Sequence, residues 1–289
     1  MNFINCLDGK RVFSFKPFFL LLLVVFFLAF SARKTKAQTT LSTGDVVFTA
    51  YNCGSNGADT FAVMLLTGIT SGTEIIFTDG CYTDATGYFL FPGAATSDWA
   101  FRWVSSSTMN AGDQIKFWTS TTNCSGNCGY NASTGNITWG RGLSFPSSGD
   151  QVFACQGGTI DTSSATRTYT PGTVLTGIHM NLTTATTTAN WDVGATGTSA
   201  SELPNSLTTY TNAIWHKYIG TGANGEVDNV RYNCAVTSGT AAAIRSATMD
   251  TANWSYLDGT TPLLALPVVR MCRWFGVVHG VMAQVQARS

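Results

Sequence analysis

The sequence predicts an all-β protein: an antiparallel β-sandwich, of jelly-roll or immunoglobulin-like type, with one short helix near its C-terminal end. Three observations lead to this prediction. Apolar runs are short and are bounded by Gly, Asn, Asp and Ser, the pattern of strands joined by turns. Gly, Thr and Ser recur throughout, and no Pro-rich or charged linker divides the chain. Apolar and polar residues alternate within several runs, as in sheets with one buried face.

Nine runs have the length and the bounding residues of strands. They are residues 45–51, 61–66, 73–79, 99–104, 113–119, 150–156, 173–180, 212–216 and 228–233. Three of the strands open with Gly-Asp, at Gly44, Gly112 and Gly149, which indicates one turn used three times. Alternation then assigns the buried faces. The residues expected on them include Trp99, Phe101, Trp103, Ile115 and Phe117.

One segment has the pattern of a helix. Thr240 can cap residues 241–250, because a threonine hydroxyl accepts the backbone N–H groups left unpaired at a helix start. Ala243, Ile244 and Ala247 then fall on one face. We expect this helix to pack across an edge or an end of the sandwich.

The N-terminal 37 residues are predicted to be a signal peptide. Six Lys/Arg and one acidic residue surround an unbroken apolar run over residues 18–32. As a helix, this run reaches about 22 Å, which is short of the roughly 30 Å hydrocarbon core of a bilayer. A cleavable signal is therefore favoured, with cleavage after Ala37, or at the second candidate, after Ser31. An uncleaved membrane anchor is the alternative.

Residues 38–262 are predicted to form a single domain of an exported protein. The segment carries seven basic and fifteen acidic residues, so it is acidic although the whole chain is neutral. A secreted or cell-surface location is expected, with membrane contact only through the signal segment before cleavage. Nucleic acid is excluded as a partner, because phosphate repels an acidic surface.

Six cysteines lie in this segment, and an even number in an exported chain favours disulfides. The pairing we predict is Cys53 with Cys81, Cys124 with Cys128, and Cys155 with Cys234. Zinc is the competing explanation for the close pair at Cys124 and Cys128. No second pair of ligands lies at a suitable spacing, so a zinc site is disfavoured.

No catalytic motif is present, and no catalytic residue is predicted. The segment has no HExxH, GxSxG, P-loop or dinucleotide sequence, and its two histidines, His179 and His216, fall inside predicted strands. A pair of carboxylates from distant strands could still support glycoside hydrolysis. No cofactor is predicted. Calcium is the one ion considered, with Asp79 and Asp84 as weak candidate ligands in a Gly-containing turn whose geometry also explains them.

Two tryptophans are weak candidates for ligand binding. Trp118 is expected to point away from the core, and Trp139 lies in a short run bounded by glycine, so either indole could stack on a sugar. Core packing is the alternative role for both.

The order of several motifs resembles an uncharacterised extracellular β module of secreted and surface proteins from Bacteroidetes-type bacteria. The similar stretches are residues 44–52, 59–66, 73–80, 149–157, 200–207, 228–233 and 252–254. The resemblance implies a secreted, surface-associated β-sandwich and brings no catalytic residue with it. This chain departs from the pattern in its higher cysteine content. Its residues 263–289 lack acids, and residues 269–289 also lack turn signals. We expect this tail to be a truncated or frame-shifted reading, with a genuine short amphipathic tail as the alternative.

Two functions follow from these observations. The first is a non-enzymatic structural or adhesion module, which is favoured because catalytic motifs are missing. The second is a carbohydrate-binding or carbohydrate-active, hydrolytic β-sandwich domain, with calcium as a candidate ion. A surface glycan or a protein is the expected partner.

Overall fold

The computed structural model consists of two antiparallel β-sheets packed against each other, with one short helix near the C-terminal end, so the predicted fold class is confirmed. The structure describes residues 37–53, 59–91, 98–119, 129–146, 149–163, 167–180, 191–194, 197–216 and 228–257. The predicted signal peptide, except for Ala37, and the predicted tail lie outside these ranges. Within them, no helix has the length and apolar character needed to span a bilayer.

The chain forms fourteen strands and one α-helix in the part that the structure describes. The strands are β1 Val46–Asn52, β2 Thr60–Leu65, β3 Glu74–Thr78, β4 Cys81–Thr83, β5 Tyr88–Phe91, β6 Ala100–Val104, β7 Gln114–Thr119, β8 Tyr130–Ala132, β9 Asn136–Gly140, β10 Gln151–Asp161, β11 Arg167–His179, β12 Ala213–Trp215, β13 Asn229–Tyr232 and β14 Trp254–Leu257. The helix α1 is Ala241–Thr248.

The first sheet has the strand order β14-β13-β1-β2-β7-β8, and the second has the order β4-β5-β11-β10-β3-β6-β9. Strand β12 also belongs to the second sheet, where it pairs in parallel with the last residues of β11. This pair is the single exception to antiparallel pairing among the described strands. Strand β9 therefore lies at one edge of the second sheet, beside β6.

Two apolar clusters fill the fold, one on each face of the second sheet. Along β10, Val152 and Ala154 belong to the cluster between the sheets, whereas Phe153 and Cys155 belong to the cluster on the opposite face. The two-residue alternation of a strand explains this division. The outer cluster is covered by residues 191–194 and 197–216, which contribute Trp191, Leu207, Ala213 and Trp215. The middle of the second sheet, where the first half of β10 lies, is therefore buried on both faces.

Aromatic rings dominate the cluster between the sheets. The ring centroid of Phe61 lies 5.2 Å from that of Phe77 and 4.9 Å from that of Phe117, and both distances suit favourable ring packing. Phe61 and Phe117 come from the first sheet and Phe77 comes from the second. Contacts of this kind hold the two sheets face to face.

The glycines of the three Gly-Asp turns share one backbone conformation. Gly44, Gly112 and Gly149 have φ angles of 85°, 92° and 83°, which glycine adopts without steric cost. In the first two turns the aspartate carboxylate also accepts the backbone N–H three residues earlier, at 2.8 Å for Ser42 and 2.7 Å for Asn110. The predicted repeated turn is thus complete at these two positions. At Gly149 the aspartate that follows is buried and bonds differently, accepting the N–H of Gln151.

The predicted faces were mostly correct, with two exceptions. Phe101 and Trp103 lie between the sheets as expected, but Trp99 lies in the outer cluster, because it precedes β6 and does not follow the alternation of that strand. Thr240 caps α1 by accepting the N–H of Ala243, which confirms the predicted start. Ala243 itself is exposed, and the buried residues of the helix are Ile244, Ala247 and Thr248.

Two of the predicted disulfides are wrong, because Cys53, Cys81 and Cys155 are free and buried. Cys53 follows β1 in the first sheet and donates to the carbonyl of Asp228, whereas Cys81 begins β4 in the second sheet. Cys155 lies within β10, with its side chain in the outer cluster. Cys234 is disulfide-bonded, but not to the free Cys155. The third predicted pair, Cys124 with Cys128, lies outside the described residues.

Candidate functional site

Trp139 presents a large aromatic side chain at the edge of the second sheet. It lies on β9 and is 36% exposed, while most large apolar side chains of the described chain are buried. Opposite it on β6 is Arg102, and the register between the two strands shifts just after this pair. The register shift is a β-bulge, a feature that often re-aims a side chain at a sheet edge.

Gly140 fixes the end of β9 beside this bulge. Its φ angle is 109°, and a Cβ atom there would lie 2.2 Å from the carbonyl oxygen of Ala100 and 2.4 Å from Cα of Phe101. Only glycine fits so close an approach of two backbones. The position of Trp139 is therefore set by backbone packing.

Trp99 is the aromatic neighbour of Trp139, with a ring centroid separation of 6.5 Å and an angle of 31° between the ring planes. It is 7% exposed and also packs on Phe91, at 5.2 Å. Two guanidinium groups approach its indole: Cζ of Arg141 lies 5.1 Å from the ring centroid and Cζ of Arg167 lies 4.8 Å from it. Both distances are within the range of cation–π attraction.

Arg102 adds a third guanidinium to this edge. It forms an exposed ion pair with Glu74 at 3.5 Å, and its Nε donates to the hydroxyl of Thr138 at 3.1 Å. We call the group formed by Trp99, Arg102, Trp139, Arg141 and Arg167 the Trp139 surface. It combines an exposed indole, a buried indole and three guanidinium groups, a set suited to stacking and to binding oxygen acceptors.

Four aspartates lie beneath and beside this surface and interact electrostatically. Burial raises the pKa of Asp79 to about 8 and, with the nearby charge of Asp79, raises that of Asp98 to about 10. Burial also raises the pKa of Asp59 to about 6 and that of Asp150 well above its usual range. Asp79 and Asp98 are thus held neutral near pH 7 by the cost of charging a carboxyl group away from water.

Two of these aspartates hold the loop that carries Arg141. Asp79 accepts the N–H of Trp99 at 2.7 Å and the N–H of Ser144 at 3.0 Å, using both carboxyl oxygens. Asp59 accepts the N–H of Phe145 at 3.0 Å. Hydrogen bonds therefore join the loop after β9 to Asp79, which follows β3, and to Asp59, which precedes β2. These two carboxyl groups fix the position of the loop that carries Arg141.

The two candidate tryptophans are not brought together. Trp118 lies on β7 in the first sheet, where Nζ of Lys116 is 5.8 Å from its ring centroid. It is only partly exposed. Trp139 is the more exposed of the two, and its cross-strand neighbour is Arg102.

The two calcium candidates occupy different environments. Asp79 is fully buried, with both carboxyl oxygens bonded to backbone N–H groups, whereas Asp84 is exposed and its own N–H bonds to Glu202. No group of three or more His, Cys, Asp or Glu side chains suited to a metal ion is present in the described ranges.

The two strand histidines are both fully buried. Nε2 of His179 lies 3.2 Å from Oδ2 of Asp192, and Nδ1 of His216 lies 3.2 Å from the hydroxyl of Tyr256. Burial lowers the pKa of His216 to about 3, so its imidazole is neutral at pH 7. Because both histidines are buried among packed side chains, we expect them to stabilise the fold.

Sequence reasoning missed the arginines of the Trp139 surface. Arg141 is two residues after Trp139 and offered a local signal, an aromatic and a basic residue around a glycine. Arg167 comes from β11 and meets Trp99 only because β5 lies beside β11 in the sheet. No spacing in the sequence could have revealed that contact.

Comparisons with protein-family models, curated proteins and solved structures found no match.

Proposed function

We propose that this chain is a non-enzymatic adhesion module of a secreted or cell-surface protein, and that it binds a glycan through the Trp139 surface. The observation that supports this most directly is the exposed indole of Trp139, fixed on a sheet edge by Gly140. A rigid aromatic side chain offers a large contact area at a low cost in conformational entropy.

A glycan suits this surface better than a flat apolar partner does. The face of an indole ring carries partial negative charge, which attracts the C–H groups on the face of a pyranose ring. Guanidinium groups beside the ring donate to hydroxyl or carboxyl oxygens in a fixed geometry. Arg102 and Trp139 are cross-strand neighbours and so can act on one sugar unit.

Hydrolysis is the second candidate, and one observation favours it. Asp98 is a carboxyl group with a pKa raised to about 10, next to Trp99, and a general acid in a glycosidase needs a raised pKa. Against this, Asp98 is 4% exposed and Asp79 is fully buried. A catalytic carboxyl group must contact the glycosidic oxygen, and burial separates both of these carboxyl groups from the surface. A binding role is therefore the better supported of the two.

A glycan array tests the proposal. The purified protein is applied with and without calcium, together with Trp139→Ala and the matched control Trp118→Ala. We expect selective glycan binding that Trp139→Ala weakens at least tenfold and Trp118→Ala leaves within twofold. Thermal unfolding of both variants confirms that the fold is retained.

Three results would overturn this assignment. They are no binding to any glycan, binding unaffected by Trp139→Ala, or binding lost only in Trp118→Ala. Release of reducing sugar from a bound glycan, abolished in Asp98→Asn, would instead establish the hydrolytic alternative.

A further inference from the structure

We infer that the ligand of the Trp139 surface is an uncharged glycan chain of two or more sugar units, which lies across strands β9, β6 and β3 on the outer face of the second sheet. This inference rests on the proposed function and adds the chemical class of the ligand and its direction on the sheet. Three features support it: the face that Glu74, Arg102 and Trp139 share, the pairing of the two charged groups, and the spacing of the strands.

Glu74 and Arg102 both point to the outer face of the second sheet. Ile75, the neighbour of Glu74 on β3, belongs to the cluster between the sheets, as do Phe101 and Trp103 on either side of Arg102. Because successive side chains of a strand point to opposite faces, Glu74 and Arg102 point away from that cluster. The two charged side chains therefore lie on the face opposite the one that packs on the first sheet.

Trp139 lies on the same face and in the same row. Its indole packs on Trp99, which belongs to the outer cluster. In the register of the sheet, Ile76 is opposite Arg102, and Arg102 is opposite Trp139. Glu74 is two residues from Ile76 on β3, so it is a diagonal neighbour of Arg102 on this face. The indole and the charged pair thus form one continuous surface over three adjacent strands.

This part of the outer face is open to a ligand. The side chains of Arg102 and Glu74 are 39% and 38% exposed, and Trp139 is 36% exposed. Asn136 is exposed as well and is opposite Val104, which points to the same face as Arg102. An amide, a guanidinium, a carboxylate and an indole are therefore all reachable from solvent on these three strands.

The charges of Glu74 and Arg102 cancel each other. Nη1 of Arg102 and Oε2 of Glu74 are 3.5 Å apart, and Nε of Arg102 donates to the hydroxyl of Thr138 at 3.1 Å, which orients the guanidinium. A guanidinium has several N–H donors and a carboxylate has several acceptor positions, so the exposed pair can make further hydrogen bonds. It offers donors and acceptors side by side without a net charge.

Such a pair suits the hydroxyl groups of an uncharged sugar. A hydroxyl is both a donor and an acceptor, so one hydroxyl can donate to Glu74 while its neighbour accepts from Arg102. Hydrogen bonds to ionised groups are stronger than those between neutral groups. A sugar carboxylate would be attracted by Arg102 but repelled by Glu74 beside it. The surface therefore favours an uncharged chain.

The strand spacing sets the minimum length of this chain. Neighbouring strands are about 4.8 Å apart, so β9 and β3 are separated by roughly 10 Å. A pyranose unit is about as long as one strand spacing. A single unit stacked on Trp139 thus reaches Arg102 on β6, and a second unit is needed to contact Glu74 on β3.

A glycan array tests the charge and the length of the ligand. It carries neutral hexasaccharides of glucose, mannose, galactose and xylose, the corresponding disaccharides and monosaccharides, and hexasaccharides of galacturonate and glucuronate. We expect the purified protein to bind at least one neutral hexasaccharide at least tenfold more tightly than either uronate chain and than the matching monosaccharide. Added salt should change the affinity for the neutral chain less than twofold, because no net charge is neutralised on binding.

Glu74→Gln and the matched control Asp84→Asn test the role of the charged pair. Both replace a solvent-accessible carboxylate by an amide of the same size, but Asp84 lies just after β4, at the opposite edge of the second sheet from β9. In Glu74→Gln the charge of Arg102 is no longer cancelled. We expect the ratio of neutral to uronate affinity to fall at least tenfold in this variant and to stay within twofold in Asp84→Asn. A merely structural role of Glu74 would not change this ratio.

Three outcomes overturn this inference: binding through Trp139 to uronate chains in preference to neutral ones, equal affinity for a hexasaccharide and its monosaccharide, or the same affinity ratio in Glu74→Gln and Asp84→Asn. In each of them the proposed function stands, because a glycan is still bound in a manner that Trp139→Ala weakens. If no glycan on the array is bound, the proposed function fails as well.

Discussion

The carboxyl group of Asp79 accepts the backbone N–H of Trp99 at 2.7 Å, joining the end of β3 to the residue before β6. Its other oxygen accepts the N–H of Ser144 at 3.0 Å, from the loop that carries Arg141. A single buried side chain thus positions both the indole and one of the guanidinium groups stacked on it. The Trp139 surface therefore depends on a residue that is itself fully buried.

Replacing Asp79 should therefore destabilise the fold and weaken the binding surface together. In Asp79→Ala, the buried N–H of Trp99 and the partly buried N–H of Ser144 lose their acceptors, and an unpaired buried group costs about 1–3 kcal/mol. We expect the free energy of unfolding to fall by about 2–4 kcal/mol in urea denaturation. Asp79→Asn keeps one acceptor oxygen and should lose roughly half as much. Equal stability of Asp79→Ala and the wild type would show that these hydrogen bonds are not needed.

The buried carboxyl groups predict that stability falls as pH rises. The pKa of Asp79 is raised to about 8 and that of Asp98 to about 10, whereas an unfolded aspartate titrates near 3.9. Between these values the native state binds more protons than the unfolded state does, so raising the pH favours unfolding. The stabilisation is complete below about pH 4 and is lost as pH rises through about 8 to 10.

Thermal unfolding at pH 5, 7 and 9 measures this dependence. We expect the midpoint to decrease across the series and the decrease to be smaller in Asp98→Asn, where the amide cannot ionise. A midpoint that is constant or that rises from pH 5 to 9 would contradict the raised pKa values.

The free cysteines should be unreactive in the native protein. Burial raises the pKa of the Cys81 thiol to about 12 and raises those of Cys53 and Cys155 further, so almost no reactive thiolate is present at pH 8. Iodoacetamide followed by peptide mass spectrometry should label these three cysteines in denaturant and not before. Native labelling at Cys81 comparable to that in denaturant would show that the site opens to solvent.

The parts of the fold that follow local rules were predictable from the sequence. Strands such as β1, β2 and β7 combine short apolar runs with turn residues at both ends, and Thr240 marks the start of α1. Strands β4 and β5 were missed, because each is short and gains its stability from pairing within the second sheet. Their existence depends on neighbours that the local sequence does not reveal.

The candidate site was predictable only in part. Trp139 was identified because it lies in a short run bounded by glycine, where an indole can either face solvent or pack in the core. Its exposed side chain in the structure favours the first role. Two of the three cysteine pairs were wrong because spacing does not show which sheet a residue joins: Cys53 follows a strand of the first sheet, and Cys81 begins a strand of the second. The contact of Arg167 with Trp99 depends on sheet order, which is a property of the assembled fold.

The pair of His179 and Asp192 should be essential for the segment that covers the outer cluster. The two side chains are fully buried with Nε2 and Oδ2 3.2 Å apart, and Oδ2 of Asp192 also accepts the N–H of Ser201 at 3.0 Å. Asp192→Ala removes the acceptor of the buried Ser201 N–H and the carboxylate beside His179, and leaving a buried polar group unpaired costs about 1–3 kcal/mol. Urea denaturation measures the loss. Asp84→Ala, at an exposed aspartate, is the control and should change stability by less than about 0.5 kcal/mol.

Gly140 offers a test of whether the backbone positions Trp139. An alanine there would combine a φ angle of 109° with contacts of 2.2 and 2.4 Å to the backbone of β6, so β9 must move or detach at its end. We expect Gly140→Ala to lower the free energy of unfolding by about 2 kcal/mol or more, since strain of this kind costs roughly 1–3 kcal/mol before any clash. Glycan binding should weaken in parallel, because the indole loses its fixed position.

The matched control is Gly87→Ala, at a glycine with a φ angle of 71° and no atom within 4 Å of the added Cβ. It introduces backbone strain without a clash and lies in the turn between β4 and β5, so we expect a smaller loss of stability and unchanged binding. Intrinsic tryptophan fluorescence should shift in Gly140→Ala and not in Gly87→Ala. Normal glycan binding in a folded Gly140→Ala protein would show that the position of Trp139 does not depend on the close backbone approach at Gly140.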